Sequence, residues 1–276
     1  FSIAGWVNDG VDALVSHYGD VFRHISDTLL WAIVNLENLL RLTPWWLMLA
    51  IVGVIAWHAT RKVLSTLLIV GLLFLVGAVG LWDKLMQTLA LMLVATLISV
   101  LLGIPLGILA ARNNRLRSLL MPLLDIMQTM PSFVYLIPVL MLFGLGKVPA
   151  IFATVIYAVP PLIRLTDLGL RQVDREVMEA INAFGATPWQ QLFGVQLPLA
   201  MPSIMAGINQ TTMMALSMVV IASMIGARGR GEDVLVGIQT LNVGKGLEAG
   251  LAIVILAVVI DRITQAYGRP RHGDQK

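Results

Sequence analysis

Apolar residues run in long blocks separated by short charged breaks, and no block alternates as a barrel strand would. A helix crosses about 30 Å of hydrocarbon in roughly 20 residues. Backbone polar groups inside lipid must pair within their own segment, so blocks of this length predict helices. Seven spans are expected: 42–60, 63–82, 85–111, 118–146, 148–163, 198–227 and 248–263. The first opens on Pro44-Trp45-Trp46, an interfacial aromatic anchor, and Arg61-Lys62 closes it. The last is the weakest, because only 249–260 is free of charge.

The N-terminal region has a different pattern. Residues 1–27 are mixed and polar. In 28–42, Leu29, Leu30, Trp31, Ile33, Leu36 and Leu40 leave Asn35, Glu37, Asn38 and Arg41 as a polar strip, the pattern of a helix lying in the interface. The expected organisation is an extracytoplasmic tail and interfacial helix over 1–41, two spans over 42–82, a core over 83–268 with a cytoplasmic loop at 164–197, and a cytoplasmic tail at 269–276.

Composition supports this class. Apolar residues make up 58% of the chain and charged residues 13%, against about a quarter charged in soluble domains. There is no cysteine, which excludes disulfides and thiolate metal sites. The net charge of +3 is modest, and the basic residues answer to membrane topology before any nucleic-acid partner. With the 164–197 loop inside, twelve Lys and Arg fall inside and seven outside. That agrees with the positive-inside rule and puts the N-terminus outside and the C-terminus in the cytoplasm.

Enzymatic chemistry finds no support in the sequence. No Gly-x4-Gly-Lys-[Ser/Thr] loop is present; Gly146-Lys147 and Gly244-Lys245 lack the spacing and the hydroxyl. His17, His24, His58 and His272 are isolated, so no metal site is expected. The run Met213, Met214, Met218, Met224 reads as adaptable packing. Asp125, in the fourth span, is expected to pair with a basic residue near the cytoplasmic end, the alternative being a coupled-ion role.

The most informative segment is Glu179–Pro198, with the spacing E-A-x-x-x-x-G-x9-[VI]-x-L-P. Asp174, Arg175, Glu176, Glu179, Ala180 and Ala183 predict a short helix outside the bilayer. Gly185 can end it in a left-handed cap. Thr187 then reads as the N-cap of a second helix with Pro188 at its first position. The result is a helix–turn–helix knob available to a soluble partner.

This spacing resembles the cytoplasmic loop of type I ABC importer permeases. Gln128-Thr-Met-Pro-Ser-Phe-Val-Tyr-Leu-Ile-Pro138, Ala158-Val-Pro-Pro-Leu-Ile-Arg-Leu-Thr166, Gly207-Ile-Asn-Gln-Thr211, Met218–Ala227 and Ile253–Gln265 resemble the glycine betaine/proline (quaternary amine) subgroup. The likeness runs from about residue 60 onward. It implies an all-α integral membrane protein with about seven transmembrane helices and an N-terminal interfacial helix, in a bacterial inner membrane. It also implies a homodimer of permeases on separate ABC ATPase subunits that bind ATP and Mg, fed by an extracytoplasmic substrate-binding protein. Glu179, Ala180 and Gly185 would belong to the ATPase-coupling element, with Arg175, Glu176 and Trp189 beside them. Arg228-Gly-Arg230-Gly-Glu-Asp departs from the family's more apolar turn and leaves that external turn open.

Polar residues in spans face protein or water. Gln128, Thr129 and Ser132 around Pro131, and Asn209, Gln210 and Thr212 in the sixth span, are candidates for the translocation path, the alternative being interhelical hydrogen bonding. The third span carries Gln87, Thr88, Thr96 and Ser99 in the same sense. The expected cargo is glycine betaine, choline, carnitine or proline. An ABC permease for an amino acid or sulfonate is the nearest alternative. An ion-driven secondary transporter is the more distant one, since it needs intramembrane charges and repeated broken helices.

Overall fold

The computed structural model describes residues 3–223 and 226–268. Met224 and the tail 269–276, with Arg269, Arg271, His272 and Lys276, lie outside the described residues. The described chain is helical, in the order α1 (Ile3–Leu42), α2 (Trp45–Thr60), α3 (Val63–Ala78), α4 (Trp82–Arg112), α5 (Asn114–Thr129), α6 (Leu136–Phe143), α7 (Lys147–Arg171), α8 (Arg175–Ala183), α9 (Pro188–Gln191), α10 (Leu197–Ala222), α11 (Arg230–Gln239) and α12 (Val243–Gly268).

The centre of the fold is α7. Of its apolar window 72% is buried, against 22% for α12, so α7 is the helix that the others surround. Small residues set its packing distances. A Cβ on Gly103 of α4 would stand 2.9 Å from Leu162, and one on Gly107 would stand 2.5 Å from Thr166. On the opposite side, Gly207 of α10 meets Leu162, and Gly169 of α7 meets Ser203. Lipid supplies no hydrophobic drive between helices, so close backbone approach through small residues carries the association. The α4–α7–α10 layer follows from these contacts. Thr211 reinforces it by donating to Ala158 O at 2.9 Å.

Four described helices or helix runs are long and apolar enough to cross a membrane, Trp82–Arg112, Lys147–Arg171, Pro188–Ala222 and Val243–Gly268. Two bent pairs could each add one. The first is α1 with α2, bent by 102° at Thr43-Pro44. Pro44 has no N–H and disfavours helical geometry in the residue before it, which turns the chain. Helix α1 begins far earlier than the sequence pattern indicated, at Ile3. It packs Ile33, Leu29 and Leu40 onto the core, with Phe22 edge-on to Phe143 at 5.5 Å. The second pair is α5 and α6, bent by 111° across Pro131, where hydropathy alone had predicted one span over 118–146. Met130 takes an extended conformation (φ −71°, ψ 136°) before Pro131, and a 3-10 turn follows at Ser132–Tyr135. Tyr135 OH donates to Met127 O and bridges the break. Helices α2 and α3 have 16 residues each, which reach about 24 Å by helical rise.

Past Arg164, the expected end of the fifth span, α7 continues to Arg171. The charge of Arg164 is answered by Asp125 of α5 across the helix pair, so the helix need not end there. The stretch read as a Gly-rich external turn also folds, as α11. Between α9 and α10 the chain makes one π turn at Leu192–Gln196, where Leu197 N–H bonds the carbonyl of Leu192, five residues back.

Candidate functional site: an exposed knob and its ionic footing

The helices leave the molecule with two polar ends. At one end lie the C-termini of α4 and α7, since Arg171 donates to Ala110 O at 2.9 Å, together with the ends of α2 and α12, where His58 meets Tyr267 at 3.1 Å. The knob projects there. Asp174 caps α8 by accepting from Glu176 N–H at 2.8 Å. Gly185 has φ +75°, a left-handed conformation that side chains disfavour, and its N–H closes on Asn182 O at 2.9 Å. Thr187 and Gln190 form a reciprocal capping box with Pro188 at the first turn of α9. Gln191 ties the two arms together, donating to Asn182 Oδ1 at 2.6 Å and Ala186 O at 2.9 Å.

None of the α8 residues is buried. Arg175 and Glu179 pair loosely at 3.9 Å, with Glu176 and Ala180 also exposed on α8. Trp189 stacks on Phe193 with ring centroids 5.6 Å apart, under the Arg112 guanidinium at 5.8 Å. Phe184, which the sequence reading passed over, is 90% exposed, and Val177, Trp189 and Phe193 are also open. These apolar side chains are held out in the open on a polar, internally braced element. Phe184 sits beside Gly185 at the turn, and that position was the signal available in sequence.

The knob stands on a buried carboxylate. Asp167 receives Arg117 of α5 at 3.0 Å on one oxygen and Arg171 at 2.8 Å on the other. Arg171 also donates to Asn114 Oδ1 at 2.8 Å. From α4, Arg112 donates to Pro188 O at 2.8 Å.

The opposite end closes on itself. Buried Glu37 pairs with Lys147 and Arg41, and Arg41 with Asp83. Lys84 pairs with Asp233 and Glu232, while Arg230 donates to Asp233 at 2.7 Å and to Leu81 O at 3.0 Å. Arg230 N–H donates to Thr88 Oγ1 at 3.0 Å, so Thr88 is a bonding partner of the α11 start. A cavity of about 380 Å³ opens beside this network, between Asp83, Arg230, Lys245 and Glu248.

The path candidates separate into two groups. Gln128, Thr129 and Ser132 flank the Pro131 break, and Thr129 donates back to Ile126 O at 3.0 Å. On α10, Asn209 donates to Asp261 of α12 at 3.1 Å and accepts from Thr264. Thr212 is buried and donates to Ile208 O at 2.7 Å, while Gln210 is exposed. Asp125 has a partner, Arg164. Among the described residues no group of three His, Asp or Glu is placed to hold a metal ion.

A central glycine-packed helix, spans that bend at proline, and a knob at one polar end define a helical, multi-span membrane protein. Residues 103–269 match the family described as binding-protein-dependent transport system inner membrane component, and the chain belongs to that family. It is similar to the glycine betaine/proline betaine transport system permease protein ProW of Escherichia coli, 48% identical over 264 residues, covering 96% of this chain and 74% of that one. It is also similar to the glycine betaine/carnitine transport permease protein GbuB of Listeria monocytogenes, 44% identical and covering 97% and 95% of the two chains. A chain of the inward-facing MetNI methionine ABC transporter superposes with a TM-score of 0.59 at 25% identity, covering 66% of this chain and 93% of that one. The fold is that of a type I ABC importer permease, an all-helical, multi-pass inner-membrane subunit.

Proposed function

We propose that this permease carries glycine betaine and related quaternary amines or betaines inward, driven by ATP hydrolysis on a separate ATPase and supplied by an extracytoplasmic binding protein. The observation that carries the ATP-driven reading is the knob: a braced two-helix element with no buried residue, and with Phe184 and Trp189 held outward on the ends of the central spans. The cargo class rests on relatives at 44–48% identity whose names specify glycine betaine. The knob end faces the cytoplasm and the Glu37–Lys147 end faces outward, consistent with the distribution of Lys and Arg. The chain acts as a homodimer. Glu179, Ala180, Gly185, Arg175, Glu176 and Trp189 belong to the ATPase contact, joined by Phe184. Gln128, Thr129 and Ser132 line the path at the Pro131 break, with Gln210 open on α10. Asn209 and Thr212 border it, holding α12 and the α10 backbone. ATP and Mg belong to the partner ATPase.

Reconstitution of the permease with its ATPase and binding protein in proteoliposomes tests this reading with glycine betaine, choline, carnitine and proline. ATP-dependent accumulation of at least one betaine, abolished without the ATPase, is expected. Uptake driven by an ion gradient alone would overturn the reading.

A further inference from the structure

Helix α5 is attached to the rest of the permease in an unusual way. Leu124 is its one fully buried residue. It packs with Met121 and Met127 against Val159 and Ile163 of α7, and two ion pairs to α7 fasten the helix as well, Arg117 to Asp167 at its start and Asp125 to Arg164 two turns on. The Asp167 side chain is 3% exposed and both its oxygens are taken, one by Arg117 and one by Arg171. Arg171 is the last residue of α7 before the chain enters the knob, and its Nη2 donates to Ala110 O and Asn114 Oδ1 across the α4–α5 turn. Asn113 in that turn caps α5 through the N–H groups of Arg115 and Leu116. On the knob's other strand, Arg112 of α4 holds Pro188 O and covers Trp189. Both ends of the knob are thus pinned to the α4–α5 junction.

We propose that Asp167, clasped by Arg117 and Arg171, is the joint through which movement of the knob reaches α5 and the break at Pro131. This rests on the reading of the knob as the ATPase contact. The small apolar contact around Leu124 holds the two helices together without fixing a single direction of pull. A carboxylate with an arginine on each oxygen fixes distance and angle together, because charge-assisted hydrogen bonds are short and directional. When the knob shifts, Arg171 shifts with it. Asp167 passes that displacement to Arg117, and α5 turns about the extended Met130-Pro131 link, carrying Gln128 and Thr129. Asp167 is a positioning residue: it binds no solute and no nucleotide.

The test is made on the full complex of permease, ATPase and binding protein in proteoliposomes, with ATP hydrolysis and glycine betaine uptake measured on the same vesicles. For Asp167→Leu, the ATPase stays bound and hydrolysis stays within roughly twofold of wild type, while uptake per ATP falls by about fivefold or more, the lower end of typical coupling between sites. Asp167→Glu restores most of the ratio. Arg117→Gln, at a residue with a 45% exposed side chain, gives the same split without disturbing the core, and it decides the matter if Asp167→Leu fails to accumulate in the membrane. An unchanged uptake-per-ATP ratio in both variants overturns the proposal. So does a parallel loss of hydrolysis and uptake, which marks a structural role only. Phe184→Asp separates this result from failure of the underlying reading. If that variant still binds the ATPase fully, the knob is not the contact and the error lies there.

Discussion

The two polar ends of this molecule have similar residues and opposite designs. At the Glu37–Lys147 end, ion pairs tie one helix to the next: Glu37 joins α1 to α7, Arg41 joins α1 to α4, and Lys84 joins α4 to α11. At the knob end the ion pairs between helices stop at Asp167. Beyond it Arg175 and Glu179 pair only loosely along one exposed helix, Glu176 stands in solvent, and Phe184 is 90% exposed. One end is closed by ion pairs among its own helices, and the other holds charged side chains and an aromatic ring out in solvent. Charge alone does not separate a structural site from a recognition site. What separates them is whether neighbouring helices supply the partner.

Variants at the two ends should therefore change different measurements. The largest effect is expected from Asp233→Leu, which leaves Arg230 and Lys84 without their shared carboxylate. Breaking a buried pair costs about 3–5 kcal/mol, read as a lower thermal midpoint in detergent, with ATPase affinity unchanged. A stability equal to wild type would remove the distinction between the ends. Next comes Phe184→Asp, with the reverse signature. Loss of an interface anchor costs about 2–4 kcal/mol of ATPase binding, measured by titration onto permease in nanodiscs, with no change in thermal midpoint. Gly185→Val forces a branched side chain into φ +75°. A strain of about 1–2 kcal/mol at that turn should lower coupled uptake while the permease still inserts normally. The smallest effect belongs to Thr187→Ala, which opens the capping box for about 1 kcal/mol and should raise hydrogen exchange at Gln190 and Gln191 alone. If the exchange spread to α10, the knob would be a continuation of the bundle and not a separate element.

How much of this was legible in sequence depended on range. Gly185, Thr187 and Pro188 act within a few residues, and their cap and turn chemistry reads directly from local composition. The seven apolar blocks were visible for the same reason; that Asp125 needs a basic partner followed from its place in a span, but Arg164, 39 positions away, did not. The Pro131 break was harder, because Pro105, Pro122 and Pro160 sit inside unbroken helices. Hydropathy cannot tell which proline bends the chain; the extended Met130 and the Tyr135 bridge to Met127 O mark it only in three dimensions. Arg230 looked like part of a solvated turn. Its bonds to Leu81 and Thr88 span well over a hundred residues, beyond any local pattern. Asp167 lay hidden likewise, one carboxylate in an amphipathic run whose second arginine is fifty positions away.

The π turn at Leu192–Gln196 has a consequence for the rest of the helix that contains it. Each residue of an α-helix advances the azimuth by about 100°. One extra residue in the turn therefore sets the aromatic face of α9 and the core face of α10 out of phase by roughly that angle. Pro188–Ala222 works as two gears on one shaft, keyed at different angles: Trp189 and Phe193 are clocked outward while Ala200, Ile204 and Gly207 stay meshed with α7. Taking out a single residue there would leave every side chain chemically intact and turn the knob to face the wrong way.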